Sequence, residues 1–356
     1  LLLQTFTSPL SVIVYIGIAV CVVYAPALSL YFMGDDFTWL RWAATAPVDA
    51  ARDYFMNAWG FFYRPIPKIL YQLLYSVFWL KPAAYHIVSI VMFYWLAALV
   101  YILQRKHNVR IWIALSTTLF FIVMSVHHEI VFWISTFSHA LSAGMLFSAL
   151  CVFDGVWTGR SRWTQLRWLL GILLTLASAL SYEGGSIAAI VVVFIGVYMY
   201  EVRSRALLAV FVTAPLYWWM RSQAGAVGAS GDYGVRPGTL VVNSVANTIG
   251  YVSAIFFGPK SVELFGIIRE NLRLNVYIAS AVAAVGGLTV AAKFYWNRHT
   301  GEKYRKSFIW MGACVLSMVP FLGLGGMTER YALVPSAFLI IAIGQAWETV
   351  MGAARA

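Results

Sequence analysis

The chain has 356 residues, 61% of them hydrophobic and only 11% charged, with a net charge of +11 and a mean hydropathy of +0.77. Soluble domains carry roughly 25% charged residues, so composition excludes a water-soluble globular chain and points to an all-α polytopic membrane protein. The 15 Trp and 20 Tyr fit anchoring at membrane interfaces. Cys21, Cys151 and Cys314 lie in apolar stretches without metal spacing, as core residues do.

Residues 9–33 are almost wholly apolar, too long for a signal-peptide core and without a small-residue cleavage site, so they read as a retained span. Further apolar runs predict spans near 84–103, 111–126, 131–153, 168–182, 185–200, 206–220, 275–292, 307–323 and 331–350, about ten in all at about 20 residues each. The shorter ones imply tilt or local thinning. Two apolar segments stay open. Residues 66–80 are short, begin after Pro65 and are flanked by Arg64, Lys68 and Lys81, which suits an interfacial or re-entrant helix; 240–258 is long enough to cross, and a crossing by either would invert the topology downstream. The expected organisation is one transmembrane domain over 1–356, with a first outer loop at 34–83 and a second large outer segment at 221–274.

Charge sets the orientation. On this map one side carries Arg105, Lys106, Arg110, Arg160, Arg162, Arg167, Arg203, Arg205, Lys293, Arg298, Lys303, Arg305, Lys306 and Arg355, against Asp154, Glu201, Glu302 and Glu348. The positive-inside rule makes that side cytoplasmic, which accounts for the net charge without a nucleic-acid partner. The other side faces a periplasm or lumen; a bacterial inner membrane with a periplasmic working face is the expected location.

The unusual polar residues gather on that outer side. Asp35 and Asp36 follow the first span with no spacer, and carboxylates at a membrane edge need water, a cation or a role in chemistry. After them come Tyr63-Arg64-Pro65, then His127-His128-Glu129, Tyr182-Glu183-Gly184-Gly185 and Glu329-Arg330-Tyr331. Solvated helix ends and headgroup anchoring are the structural alternatives for these acids and arginines.

Five pieces in this order resemble the GT-C superfamily of membrane glycosyltransferases, and within it the protein O-mannosyltransferase type and its tetratricopeptide-bearing relatives. They are Gly34-Asp35-Asp36-Phe37, Tyr63-Arg64-Pro65, His127-His128-Glu129-Ile130-Val131-Phe132-Trp133-Ile134-Ser135, Leu180-Ser181-Tyr182-Glu183 and Glu329-Arg330-Tyr331-Ala332-Leu333-Val334-Pro335-Ser336. The resemblance implies a GT-C-like fold with a long first outer loop. It also implies inverting transfer of a sugar from a polyprenyl-phosphate carrier to a protein or glycan acceptor, with Asp35 as catalytic base. Two departures stand out: no repeat domain follows the last span, and Thr136-Phe137-Ser138-His139 replaces the Gly-Arg typical of those relatives.

Such a reaction needs a general base within reach of the acceptor hydroxyl and cations where the leaving phosphate develops charge. Asp36 is the second choice of base, or a neighbour that orients Asp35. Arg64 and Arg330 offer bidentate forks to phosphate, with Arg221, Lys260 and Arg269 in reserve. Tyr63, His128, Glu129, Glu183 and Tyr331 complete the expected substrate-binding set. His127, His128 and Glu129 could also supply part of a divalent-metal site, although adjacent histidines rarely share one ion. Trp39, Trp42, Trp59, Tyr63 and Trp133 could stack on sugar rings or serve in an interface belt.

Nucleotide loops, HExxH, CxxC and GxSxG are absent from the sequence. Two other functional classes stay open: a flippase of lipid-linked sugars, which would show internal repeats with broken helices, and a non-catalytic subunit packing in a larger membrane complex. Gly225–Gly231 has linker composition and could order over bound substrate.

Overall fold

The structure, a computed structural model, describes residues 9–45, 50–58, 60, 62–159, 163–228, 234–235, 237–258 and 298–353. Among them it is all-helical, with no strand beyond one isolated antiparallel bridge between Val235 and Leu324. The helices are α1 (Pro9–Tyr24), α2 (Asp36–Thr45), α3 (Ala50–Met56), α4 (Pro65–Phe78), α5 (Pro82–Lys106), α6 (Ile111–Val123), α7 (His128–Phe132) and α8 (Phe137–Trp157). They continue with α9 (Thr164–Ser181), α10 (Ile187–Tyr200), α11 (Ala206–Phe211), α12 (Thr213–Gln223), α13 (Leu240–Phe257), α14 (Arg298–Leu322) and α15 (Leu333–Ala353).

Seven stretches are long and apolar enough to cross a membrane: Leu10–Ser29, Pro82–Lys106, Ile134–Trp157, Thr164–Ser181, Glu183–Tyr200, Leu240–Phe257 and Glu329–Gly352. An eighth arises if Ile111–Val123 and Ser125–Phe132, which meet at 57°, form one broken span. Ten were expected from the sequence. The expected span at 275–292 lies outside the described residues. That at 206–220 divides into α11 and α12, with Pro215 in the first turn of α12, where its missing N–H costs nothing. That at 307–323 forms the C-terminal part of α14, a helix that opens on Arg298, Lys303, Arg305 and Lys306 and carries Pro320 near its end.

The bundle has two chemically different ends. At one, Lys106 pairs with Asp154 at 2.7 Å, Arg110 with Glu348 at 2.9 Å and Arg305 with Glu201 at 2.8 Å. Tyr200 donates to the same Asp154 at 2.6 Å. These contacts fasten the ends of α5, α8, α10, α14 and α15 with the basic residues that the sequence places in short turns. At the other end lie Asp36, Arg64 paired with Glu183, and Arg330 paired with Glu129. Among the described residues the ion pairs thus fall at the two rims, and the middle is packed mainly with apolar residues such as Phe93, Phe121, Phe147, Trp310 and Phe338.

Both open segments start and finish at the Arg64 end. Helix α4 begins at Arg64 and stops at Trp79, whose positive φ of 52° and N–H bond to the Tyr75 carbonyl terminate it. The Trp79 carbonyl then accepts from Tyr85 at the start of α5. Fourteen residues of helix reach about 21 Å, too short for a crossing. Helix α13 has the length and apolarity of a span, yet it lies across this end. Asn243 bonds the Gly323 carbonyl, and Asn247 bonds those of Phe321, Leu322 and Leu324. At its far end, the position of a Gly258 Cβ falls 2.4 Å from the Ser125 hydroxyl. By these contacts both segments begin and end at the Arg64 end of the bundle.

This arrangement has a direct test. In a background lacking Cys21, Cys151 and Cys314, Thr239→Cys and Phe257→Cys should react with an impermeant thiol reagent from the same membrane side as Asp35→Cys. Labelling of 239 and 257 from opposite sides would make α13 a crossing.

Candidate functional site

The site grows from the turn after the first apolar stretch. Gly34 has φ +51°, a left-handed conformation that glycine adopts without a Cβ penalty, and this turns the chain into α2. The Asp35 carbonyl accepts from the N–H groups of Thr38 and Trp39. The two acids then part. Asp36 is buried and its carboxylate accepts from the Met33 N–H at 2.9 Å, the Ser135 N–H at 2.7 Å and the Ser135 hydroxyl. Burial raises its pKa, against the lowering effect of those donors and of His86. Asp36 is accordingly a clamp joining the 33–36 turn to the start of α8.

Asp35 is exposed and faces a pocket with Trp39, Phe62, Arg64, Trp133, Ser135, Thr136, His139, Arg330 and Tyr331. Among the described residues, no hydrogen bond or ion pair reaches its carboxylate. Two expected stacking residues, Trp39 and Trp133, line this pocket; Trp42 instead lies over Lys68, and Trp59 lies outside the described residues. The buried indole N–H of Trp133 has no partner among the described residues, which leaves a donor at the pocket wall.

Both expected phosphate-binding arginines reach this pocket, each held from behind by a glutamate. Arg64 places Nε and Nη2 on one oxygen of Glu183 at 2.8 Å, and its guanidinium lies between Phe62 and Tyr182 at 4.3 and 4.7 Å. Burial works against its charge, but the Glu183 carboxylate together with Tyr182 and Tyr331 outweighs it and holds its pKa above the ordinary value. Arg330 pairs with Glu129, which also accepts the Arg330 backbone N–H at 3.2 Å. Its guanidinium faces Trp133 and Tyr331, each at 5.4 Å. Glu129 and Glu183 thus orient arginines.

Three expected site residues serve the surroundings instead. Tyr63 is fully buried and donates to the Phe55 carbonyl at 2.9 Å, bracing the loop before α4. His128 is turned outward, with Nδ1 at 2.9 Å from the Ser125 carbonyl and 3.1 Å from Glu329. His127 points the other way into the core, where Nδ1 bonds the Phe121 carbonyl at 2.9 Å and Nε2 meets Ser336 at 2.8 Å. That first bond satisfies a carbonyl released where the helix breaks at Met124. Divergence of the two imidazoles explains why they form no common ligand set, and among the described residues no three His, Cys, Asp or Glu side chains converge on a metal position.

Sequence reasoning passed over Lys68, Tyr182 and His139. Lys68 is buried, bonds the Ala58 carbonyl at 3.0 Å and faces Trp42 at 4.9 Å. Its position inside the apolar run of α4 was the available signal. His139 packs on Tyr182 with ring centroids 4.0 Å apart. Beyond Arg64 and Tyr331 opens a second cavity of about 340 Å³, lined also by Tyr182, Glu183, Ser186, Trp218 and Arg221. Of the reserve cations, Arg221 is there, whereas Lys260 and Arg269 lie outside the described residues.

No protein-family profile matches this chain, and neither does any curated protein or solved structure.

The two acids should separate by stability. Asp36→Ala leaves buried donors unpaired at about 1–3 kcal/mol each, so thermal unfolding in detergent should shift well down. Asp35→Ala should stay within about 0.5 kcal/mol of wild type. Equal losses would contradict the clamp.

Lys68 gives a pH signature. Burial lowers its pKa to about 8, opposed by Glu183 and helped by Arg64. Above pH 8 the folded chain has released a proton that the unfolded chain keeps until near pH 10.5, so folding grows more favourable across that window. Wild-type stability measured relative to Lys68→Met should rise from pH 8 to pH 10; a flat difference would refute the shift.

Proposed function

We propose that this chain is an inverting glycosyltransferase of the membrane, moving a sugar from a polyprenyl-phosphate carrier to an acceptor hydroxyl, with Asp35 as general base. One observation carries the reading: an exposed carboxylate with no partner among the described residues shares a pocket with two arginines, each held by a glutamate. In the reaction, the acceptor O–H proton passes to Asp35 while its oxygen bonds the anomeric carbon. The bond from that carbon to the carrier phosphate breaks, and the phosphate leaves with the electron pair. One carboxylate suffices for this single displacement, unlike the paired carboxylates of glycosidases.

Arg64 and Arg330 supply fixed positive charge where the leaving phosphate becomes more negative. Their orientation is set before substrate arrives, so no reorganisation is spent during the step. Ser135, held by Asp36, and the rings of Trp39, Trp133 and Tyr331 shape the remainder of the pocket. The GT-C-like likeness of the five sequence pieces supports the same reading. Basic residues concentrated at the far end support a cytoplasmic placement of that end, with the Asp35 pocket periplasmic in a bacterial inner membrane.

Asp35→Asn keeps size and hydrogen bonding but removes the base. Sugar transfer in liposomes should fall roughly 10²–10⁴-fold, with carrier binding changed far less. Arg330→Ala should weaken both carrier binding and rate. Full transfer by Asp35→Asn would reject Asp35 as the base, and no transfer by the wild-type chain would favour a non-catalytic packing subunit.

A further inference from the structure

The stretch Thr136-Phe137-Ser138-His139, where this chain departs from the Gly-Arg of similar glycosyltransferases, places Thr136 and His139 in the wall of the Asp35 pocket. Thr136 closes a short 3₁₀ turn, Ile134–Thr136, and braces both of its flanks. Its hydroxyl donates to the carbonyls of Trp133 at 2.7 Å and Glu129 at 2.9 Å. Its own carbonyl accepts the His139 Nδ1–H at 3.1 Å. A carbonyl can only accept, so Nδ1 carries the proton and in the neutral ring Nε2 keeps the lone pair. That Nε2 is buried without a partner among the described residues, in a side chain only 7% exposed. The Trp133 indole N–H is the complementary case, a buried donor equally without a partner among them. His139 also borders a second space of about 30 Å³, whose serines are already engaged. Ser142, Ser178 and Ser317 donate to the carbonyls of Ser178, Ser142 and Cys314 at 2.7–2.9 Å. The Asp35 pocket is the more polar of the two spaces. A buried donor and a buried acceptor left unmet are both costly. An anion would satisfy only the indole and a cation only the imidazole, whereas hydroxyl groups donate and accept and so satisfy both.

We propose that Trp133 and His139 form a hydroxyl-recognition pair in the Asp35 pocket, the indole N–H donating to sugar hydroxyls and His139 Nε2 accepting from them. The inference rests on the glycosyltransferase reading and deepens it. Asp35 and the arginines deal with the reacting hydroxyl and the phosphate; this pair reads hydroxyls elsewhere on a sugar ring. Trp39, Trp133 and Tyr331 line the same pocket and offer the apolar faces that such a ring packs against. The hydroxyls could belong to the sugar on the carrier or to a glycan acceptor, and the two sources separate in the test. Both groups act as positioning residues, because neither takes the proton of the reaction.

The test is equilibrium binding to purified protein in nanodiscs, with three kinds of probe. These are a short-chain polyprenyl phosphate, the same lipid carrying glucose or mannose, and the methyl glycosides of those two sugars. Trp133→Phe keeps a ring but loses the N–H. His139→Asn keeps a donor where Nδ1 stood and loses the acceptor at Nε2; His139→Gln does the opposite. Wild type should bind a sugar-bearing lipid more tightly than the bare phosphate. Trp133→Phe and His139→Asn should each cut that advantage about three- to tenfold, the worth of one hydrogen bond. Their binding of the bare phosphate should hold, which shows that the pocket has folded. His139→Gln should retain most of the advantage. Loss confined to methyl glycoside binding would support the pair with a glycan acceptor as its source. Retention by His139→Asn with loss in His139→Gln would reduce His139 to a brace for Thr136 and overturn the proposal. So would wild type showing neither a sugar advantage nor methyl glycoside binding. If all three variants bind as wild type does while Asp35→Asn lacks transfer, the pair fails and the glycosyltransferase reading stands. If Asp35→Asn transfers fully while the sugar advantage falls as expected, the pair stands and Asp35 loses its role.

Discussion

Two partly buried arginine–glutamate pairs organise the Asp35 end of this bundle. Arg64–Glu183 ties the loop before α4 to the turn between α9 and α10, and Arg330–Glu129 ties the turn before α15 to α7. Pairs of this kind add little net stability, because desolvation consumes most of the Coulomb attraction, but removing one partner strands a charge and is expensive. Their effect is therefore on geometry. Four loops that would otherwise drift independently are held in one register, and each guanidinium is fixed at the wall of the Asp35 pocket. The small residues nearby serve the same end: a Cβ at Gly185 would fall 2.3 Å from the Ser178 carbonyl, so only glycine lets the Glu183 turn seat against α9.

The far end uses the same interactions differently. Arg305–Glu201 is exposed and Lys106–Asp154 only partly covered, so solvent and salt screen much of their attraction. The acid at the centre, Asp154, is buried and shared between Lys106 and Tyr200, which joins α5, α8 and α10 at one point. No comparable cavity is built around it among the described residues. One rim braces helices; the other spends its charges around open space.

Much of this was legible in the sequence, for identifiable reasons. Apolar runs disclose helices because the backbone must satisfy its own hydrogen bonds in lipid. The ordered pieces around Asp35, Arg64, Glu129, Glu183 and Arg330 suggested one site, and those residues do converge. Partners were not legible. Nothing at position 129 or 183 says that its carboxylate will turn to an arginine more than a hundred residues away, since that depends on how helices pack. Nor could hydropathy place α13: its composition is that of a span, and only Asn243 and Asn247, spaced to reach the carbonyls of 321–324, hint that one face is tied to protein. His127 and His128 are similar in sequence and opposite in direction, because successive helical residues differ by about 100° around the axis.

The same rotation decides between Asp35 and Asp36, and the glutamates complete the division. An unpaired guanidinium beside Asp35 would close on it as an ion pair and occupy the lone pairs that a proton must reach. Glu129 and Glu183 take the forks of Arg330 and Arg64 from behind, which keeps both arginines off the Asp35 carboxylate. A carboxylate and two guanidinium groups thereby share one small pocket without forming an ion pair with each other among the described residues. In the proposed reaction this is what the two partly buried acids contribute: they keep the arginines off Asp35 at close range until a substrate enters between them.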